Sequence, residues 1–446
     1  MYHDIFKITI RNQVLGGWPV FVENKSNNAC ILTGIQSFLR IDLVMLRELT
    51  LDSRAYGIFL GQALFRDAVL EFFIAALSRV HERLYIRLVI EDVMLRQEVL
   101  WGRLCVPIDG IWSYLHLTPR LAGAQLIISR STRNFPSLST NNLSALIVAA
   151  NPVNLSYYHL TPFNAPMLAA RIVSVLSGHK TRQAVSGGTT IPSLNTICDC
   201  LSESPCSLLH IICHGRFKKD DGESVLFLEN HDGSGQTEVV TATRFIERLS
   251  QVVNLPYLIF LESCESAMFN GMSVAASFAQ RLIEDLGIPT VIAMSDRISI
   301  QSADQLAVAT YRKLLIHGEP DRALNEALTT ITDQPDVLVP VLMTRLEAAT
   351  LFTPSPIRDL PIKTDSRSIR KILIAAFNID EIETLCIEVM AALRDAERPL
   401  PISLEQIGGT SKDTRVLRIV AEIERYGALP FLIAAMQRIK PGIINL

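Results

Sequence analysis

The chain has no excess of either charge: 42 lysines and arginines against 45 aspartates and glutamates leave a net charge of −3 over 446 residues. That balance provides no electrostatic footprint for nucleic acid, and none is expected as a partner. No uninterrupted apolar run reaches the roughly 18 residues needed to span a bilayer, and the N-terminus lacks a basic-then-apolar leader pattern. The expected compartment is the cytoplasm. Cysteine is sparse, with eight irregularly spaced residues, so reduced thiols are expected and not a disulfide scaffold. One cluster gathers Cys198, Cys200, Cys206, His210, Cys213 and His214 but contains no C-x2-C pair. His210 and Cys213 would point to opposite faces of one strand. Neither zinc nor any other metal or cofactor is expected, and Cys213 reads as a small buried hydrophobe.

What the chain does have is apolar residues, 49% of the total against 20% charged, enough for two or three globular domains with a full α/β core. Two short segments stand out, LHIICHG at 209–215 and LIFLESCESA at 258–267. Each is an apolar run ending in a polar tip, as a strand buried on both faces would be, so His214 and Cys264 are expected at the carboxyl ends of parallel strands. Open α/β sheets build their sites there. A cysteine nucleophile needs an imidazole to take its proton and return it to the leaving amine. Alone, Cys264 could be core packing and His214 a satisfied strand-end histidine. The pair, fifty residues apart with His before Cys as in caspase-type peptidases, reads as a dyad.

The order of elements supports that setting. Residues 1–55 carry apolar alternation without a motif; Ala63–Leu77 reads as one helix and Leu84–Ile90 as a strand. From Ser144 the pattern becomes regular: strand 144–150, helices 165–177 and 191–203, strand 208–213, a hairpin at 224–229, helix 243–249 and strand 257–262. Helix 274–286 is closed by Gly287 and feeds strand 289–294, with helices at 303–316 and 322–331 beyond. Strands alternating with helices predict a mostly parallel sheet between helical layers. Residues 353–368 (TPSPIRDLPIKTDSRS) contain three prolines and read as a linker. The remainder is helical, with a capping-box start at Asn378 and Glu381, a stop at Gly427 and a first-turn Pro430.

The apolar-His-Gly and Cys-Glu-Ser motifs, with SALIVAANP (144–152), VLFLE (225–229), GIPTVIAM (287–294) and DVLVPVLMT (336–344), resemble the CHAT peptidases of the caspase-like clan over roughly residues 55–350. EVLWGRL (98–104) resembles the family's Pro-Trp-Glu-Leu element, with Leu for the Pro and Gly for the Glu. The resemblance implies a caspase-like three-layer α/β/α sandwich. Residues 1–135 would form an N-terminal, pseudo-caspase-like or accessory part, 136–352 the catalytic domain and 353–367 the linker. KILIAAF (371–377), DEIETLC (380–386) and ERYGALPFLIA (424–434) resemble the effector-associated domain of the death-like superfamily, which implies a small all-α bundle over 368–446.

The resemblances imply a cysteine endopeptidase that cleaves a protein substrate. Its tail would pair with a like bundle on a partner protein, in bacterial defence or programmed cell death. His214 and Cys264 would be catalytic, and the backbone N–H groups of Gly215 and Cys264 would form the oxyanion hole. A simple strand-ending turn is the less favoured alternative for Gly215. No third catalytic residue is evident: Glu262 and Glu265 could orient the imidazole or the substrate, or be solvated or paired with Arg216. Where CHAT chains commonly carry a Ser-Asp pair, Ser299 is followed here by Ile300, leaving Asp296 and Asp304 as candidate pocket acids, with a surface-turn role the commoner fate of such residues. The alternatives are a catalytically silent scaffold of the same fold, which retention of His214 and Cys264 disfavours, and another thiol acyl-transfer enzyme.

Overall fold

The computed structural model describes residues 4–26, 29–80, 82–136, 138–218, 223–265, 274–334, 336–347, 350–353, 366–395, 404, 407, 409 and 411–440. The chain divides into two compact units, Met1–Ser355 and Pro356–Leu446.

Among the described residues of the first unit, thirteen strands join in one sheet. In chain order they are β1 (Asp4–Ile10), β2 (Trp18–Ser26), β3 (Ala29–Leu39), β4 (Leu84–Ile90), β5 (Leu121–Leu126), β6 (Ser144–Ala149), β7 (Lys180–Val185), β8 (Leu208–Lys218), β9 (Glu223–Glu229), β10 (Thr237–Thr241), β11 (Leu258–Glu265), β12 (Thr290–Met294) and β13 (Pro340–Thr344). Their spatial order is β7-β6-β8-β11-β12-β13-β5-β4-β1-β2-β3, with β9 and β10 extending as an antiparallel arm from β8. The pairs from β7 to β12 are parallel, as are those from β13 to β1. Between the two blocks β13 runs antiparallel to β12, so the carboxyl ends of β1, β4 and β5 point away from those of β8 and β11.

Ala145–Ala149 of β6 and Leu258–Leu261 of β11 are uniformly apolar because both faces are covered. Ala145, Ile147, Leu258 and Phe260 join one core with helices Ala165–Val175, Ile300–His317 and Pro320–Leu328. Their neighbours Leu146, Val148, Ile259 and Leu261 join another with helices Leu194–Glu203, Ala242–Ser250 and Val274–Leu286. The result is a three-layer α/β/α sandwich with a largely parallel sheet.

Several local expectations change. The stretch expected as one helix at 63–77 is two, Ser53–Leu64 and Asp67–Arg79, because Arg66 is extended and Asp67 takes a positive φ of 49°. The illegible N-terminal residues supply β1 to β3, and β5, β7 and β10 were not anticipated. The expected linker at 353–367 falls mostly outside the described residues.

The second unit is a helical bundle: Ser366–Ala376, Ile379–Asp395, Lys412–Arg425 and Leu429–Ile439 around Leu373, Leu385, Ile419 and Leu432. Its capping box is formed in both directions. Asn378 N–H donates to Glu381 Oε2 and Glu381 N–H to Asn378 Oδ1, each at 2.8 Å.

Candidate functional site

Parallel pairing of β8 with β11 sets His214 directly beside Cys264, and Gly215 beside Glu265. Because the side-chain period of a strand is two, residues paired in this way project from the same face. The side chains of Cys264 and Glu265 themselves lie outside the described residues. On its other edge β8 pairs with β6 only through Ile212; from His214 onward it pairs with β9, where Phe227 stands opposite His214. The change of neighbour falls at the carboxyl ends of the strands, where open α/β sheets bind ligands.

The chain leaving β6 is anchored against β8, β9 and β10 near those ends. Asn151 N–H donates to Ser186 Oγ at 2.7 Å, and Asn151 Oδ1 accepts from Phe163 N–H at 2.9 Å. Asn154 Oδ1 accepts from Thr237 N–H at 2.8 Å, Arg216 Nη2 donates to the Tyr158 carbonyl at 2.7 Å, and Leu155 and Leu160 pack on Val225 and Phe227. So anchored, the loop brings the Thr161 carbonyl 2.8 Å from His214 Nε2 and the Phe163 ring edge-on to the imidazole, centroids 5.5 Å apart. A carbonyl can only accept, so Nε2 carries the hydrogen and Nδ1 is left with a lone pair. Burial holds the His214 imidazole below its ordinary pKa; the bond to Thr161 opposes that shift and the charge of Arg216 adds to it. The imidazole is therefore neutral near pH 7, the form a general base requires.

Gly215 is accounted for by a close approach. A Cβ there would meet Ser263 Cβ and Oγ at 3.3 Å, on the face away from His214 and Cys264. The acids are dispersed. Glu262 is neither solvated nor paired with Arg216: it is buried and its carboxylate accepts from His210 Nε2–H at 3.1 Å. Asp296 lies just past β12, and its Oδ1 accepts from Arg297 N–H at 2.7 Å. Asp304 is not in a surface turn. It is 3% exposed in helix Ile300–His317, in the same buried stripe as Ala307, Tyr311 and Leu314, and Arg171 Nη1 pairs with it at 2.7 Å. Burial raises its carboxyl pKa, against the charges of Arg171 and His210. Ser299 caps that helix, its Oγ accepting from Ser302 N–H at 3.1 Å, which gives it a structural task.

Sequence reasoning missed the Thr161 carbonyl, since a main-chain acceptor has no residue-type signature. It also missed the bond from His210 to Glu262, although both residues lie inside the two motifs.

A family model, the CHAT domain, matches residues 117–374. The chain is similar to the Arg-specific cysteine proteinase gingipain R, at 12% identity over 69% of this chain and 76% of that one, with a TM-score of 0.40. It is likewise similar to the complex of Porphyromonas gingivalis RgpB pro- and mature domains, at 12% identity over 65% and 71%, with a TM-score of 0.38. No curated protein matches the chain.

Proposed function

Because the chain belongs to the CHAT domain family, we propose that it is a cysteine endopeptidase whose nucleophile is Cys264 and whose general base is His214. The observation that carries this reading is their pairing across β8 and β11, with His214 Nε2–H committed to the Thr161 carbonyl. That bond leaves Nδ1 to take the Cys264 proton. The thiolate then attacks the peptide carbonyl carbon, and the oxyanion is met by the backbone N–H groups of Gly215 and Cys264, each such donor contributing about 3 kcal/mol to catalysis. The imidazolium returns its proton to the departing amine as the C–N bond breaks. Water hydrolyses the thioester, with His214 again as base.

Asp296, beside the end of β12, is the acid we assign to the substrate pocket, opposite a basic residue. Glu265 is a second candidate, its side chain outside the described residues. Glu262, bonded to His210, is better suited to support than to substrate contact. The catalytic half falls within residues 136–352, behind an accessory N-terminal half at 1–135. The helical tail at 368–446 is read as an effector-associated bundle that recruits a partner carrying a like bundle, in a bacterial defence or cell-death pathway.

Incubating the full chain with a peptide library and identifying products by mass spectrometry tests the activity. Cleavage abolished by Cys264→Ala and by His214→Ala, with the wild-type thermal midpoint, supports the dyad. No cleavage by the wild type would favour a scaffold, and transfer of the acyl group to an amine instead of water would favour an acyltransferase.

A further inference from the structure

The dyad mechanism makes no use of the buried polar residues beneath it. On one face of the sheet three rows run toward the carboxyl ends of the strands: His210 beside Phe260, Ile212 beside Glu262, and His214 beside Cys264. Glu262 is thus one row below the dyad, on the strand that carries the nucleophile and about 7 Å of chain from it, at 3.3 Å per residue. Its carboxylate reaches back to accept from His210 Nε2–H at 3.1 Å, and His210 Nδ1 lies 3.0 Å from the Tyr311 hydroxyl on helix Ile300–His317. His210 is 0% exposed and Glu262 5%. Asp304 of the same helix, paired with Arg171 of helix Ala165–Val175, also belongs to this side of the sheet.

Packing alone does not require these groups. The core on that side of the sheet is otherwise built of apolar residues such as Ile147, Leu258, Phe260 and Met294, and burying a carboxylate and an imidazole costs desolvation that only a satisfied network offsets. What the network provides is direction. It links β11 to β8 and both strands to one helix through bonds that tolerate little displacement, whereas apolar contacts slide.

We propose that Glu262, His210 and Tyr311 form a positioning clamp that holds the Cys264 end of β11 in register with His214. The inference rests on the reading of His214 and Cys264 as the dyad. None of the three is a catalytic residue: they act through the placement of Cys264.

Alkylation by iodoacetamide, followed at the Cys264 peptide by mass spectrometry across a pH series, reads the nucleophile directly in the full-length chain and needs no substrate. Glu262→Ala and His210→Ala are expected to slow alkylation at pH 7 by about tenfold or more and to move its pH midpoint upward, since a displacement of 1 Å can cost on the order of a hundredfold. Glu262→Gln keeps an acceptor for His210 Nε2–H and is expected to stay within about threefold of wild type, a rescue by geometry. Tyr311→Phe preserves the core and should slow alkylation measurably with an unchanged circular dichroism spectrum; it decides the matter if the alanine variants do not fold. Wild-type rates and pH midpoints in folded Glu262→Ala and His210→Ala, or in Tyr311→Phe when those do not fold, would overturn the clamp. His214→Ala separates the two levels. Slow alkylation there with fast alkylation in the clamp variants sinks this inference alone, and wild-type alkylation in His214→Ala sinks the dyad itself.

Discussion

Arg87 Nη2 donates to Asp321 Oδ2 across 2.8 Å, with both side chains almost wholly buried, and so ties β4 to the first turn of helix Pro320–Leu328. The same polarity recurs nearby: Lys7 pairs with Glu347 at 2.8 Å and Arg83 with Glu326 at 3.3 Å, the cations on β1 and beside β4 and the anions later in the chain. On this face Ile5, Tyr85 and Ala122 form a small apolar group of their own among the described residues, and charge pairing stands beside it.

Arg87→Met should destabilise the first unit by about 3–5 kcal/mol, because it leaves the Asp321 carboxylate buried without its partner. The double variant Arg87→Met with Asp321→Leu should recover most of that loss. Urea unfolding midpoints for the two variants check this, and a single variant as stable as wild type would show that water or rearrangement replaces the pair.

Acid should weaken the fold above the usual carboxylate range. Burial lowers the pKa of His116 to about 4, and that of His317 likewise to about 4, chiefly through burial with Arg322 adding to the shift. An unfolded histidine titrates near 6.5, so the unfolded chain binds the proton first and stability falls as pH drops from about 6.5 to about 4. For His116 alone the full loss is about 3 kcal/mol. Unfolding free energies measured at intervals between pH 7 and pH 4 should show this slope, and His116→Gln should make it shallower.

Substrate choice should respond to Asp296 more than to Asp304. Asp296→Ala is expected to shift the preferred residue at the cleavage position. Asp304→Ala, which leaves Arg171 without its partner at 2.7 Å in the helix behind the sheet, should change stability more than preference. Cleavage profiles of both variants against wild type decide it, and an unchanged profile in both removes an acidic pocket from consideration.

The tail should act by recruitment. Truncation before residue 366 is expected to leave cleavage of a small peptide within about twofold of wild type while lowering cleavage of a partner-presented substrate, since tethering raises effective concentration without new chemistry. A pull-down with the full chain and with the truncated one tests the binding half. Loss of small-peptide cleavage in a folded truncated chain would instead make the tail a support for the peptidase.

The sequence by itself determined the architecture of the region from β6 to β12, because runs such as Ala145–Ala149 and Leu258–Leu261 are apolar at every position and that pattern suits a sheet covered on both faces. It also determined the bundle's capping box, where Asn378 and Glu381 need nothing beyond their own turn. Leu84–Ile90 was legible as a strand, whereas β1 to β3 and β5 were not. Lys7 and the Ala/Gly-rich Leu121–Leu126 carry no motif, and Glu347 and the neighbouring strands that complete them are distant in sequence. At the site, residue types pointed to His214 and Cys264, but only the tertiary structure decided which imidazole nitrogen carries the hydrogen. That choice is made by the Thr161 carbonyl, 53 positions away in the chain. The partner of Glu262 was decided in the same way: the sequence alone allows Arg216 or solvent, whereas the pleat turns its carboxylate inward to His210, with Tyr311 behind it.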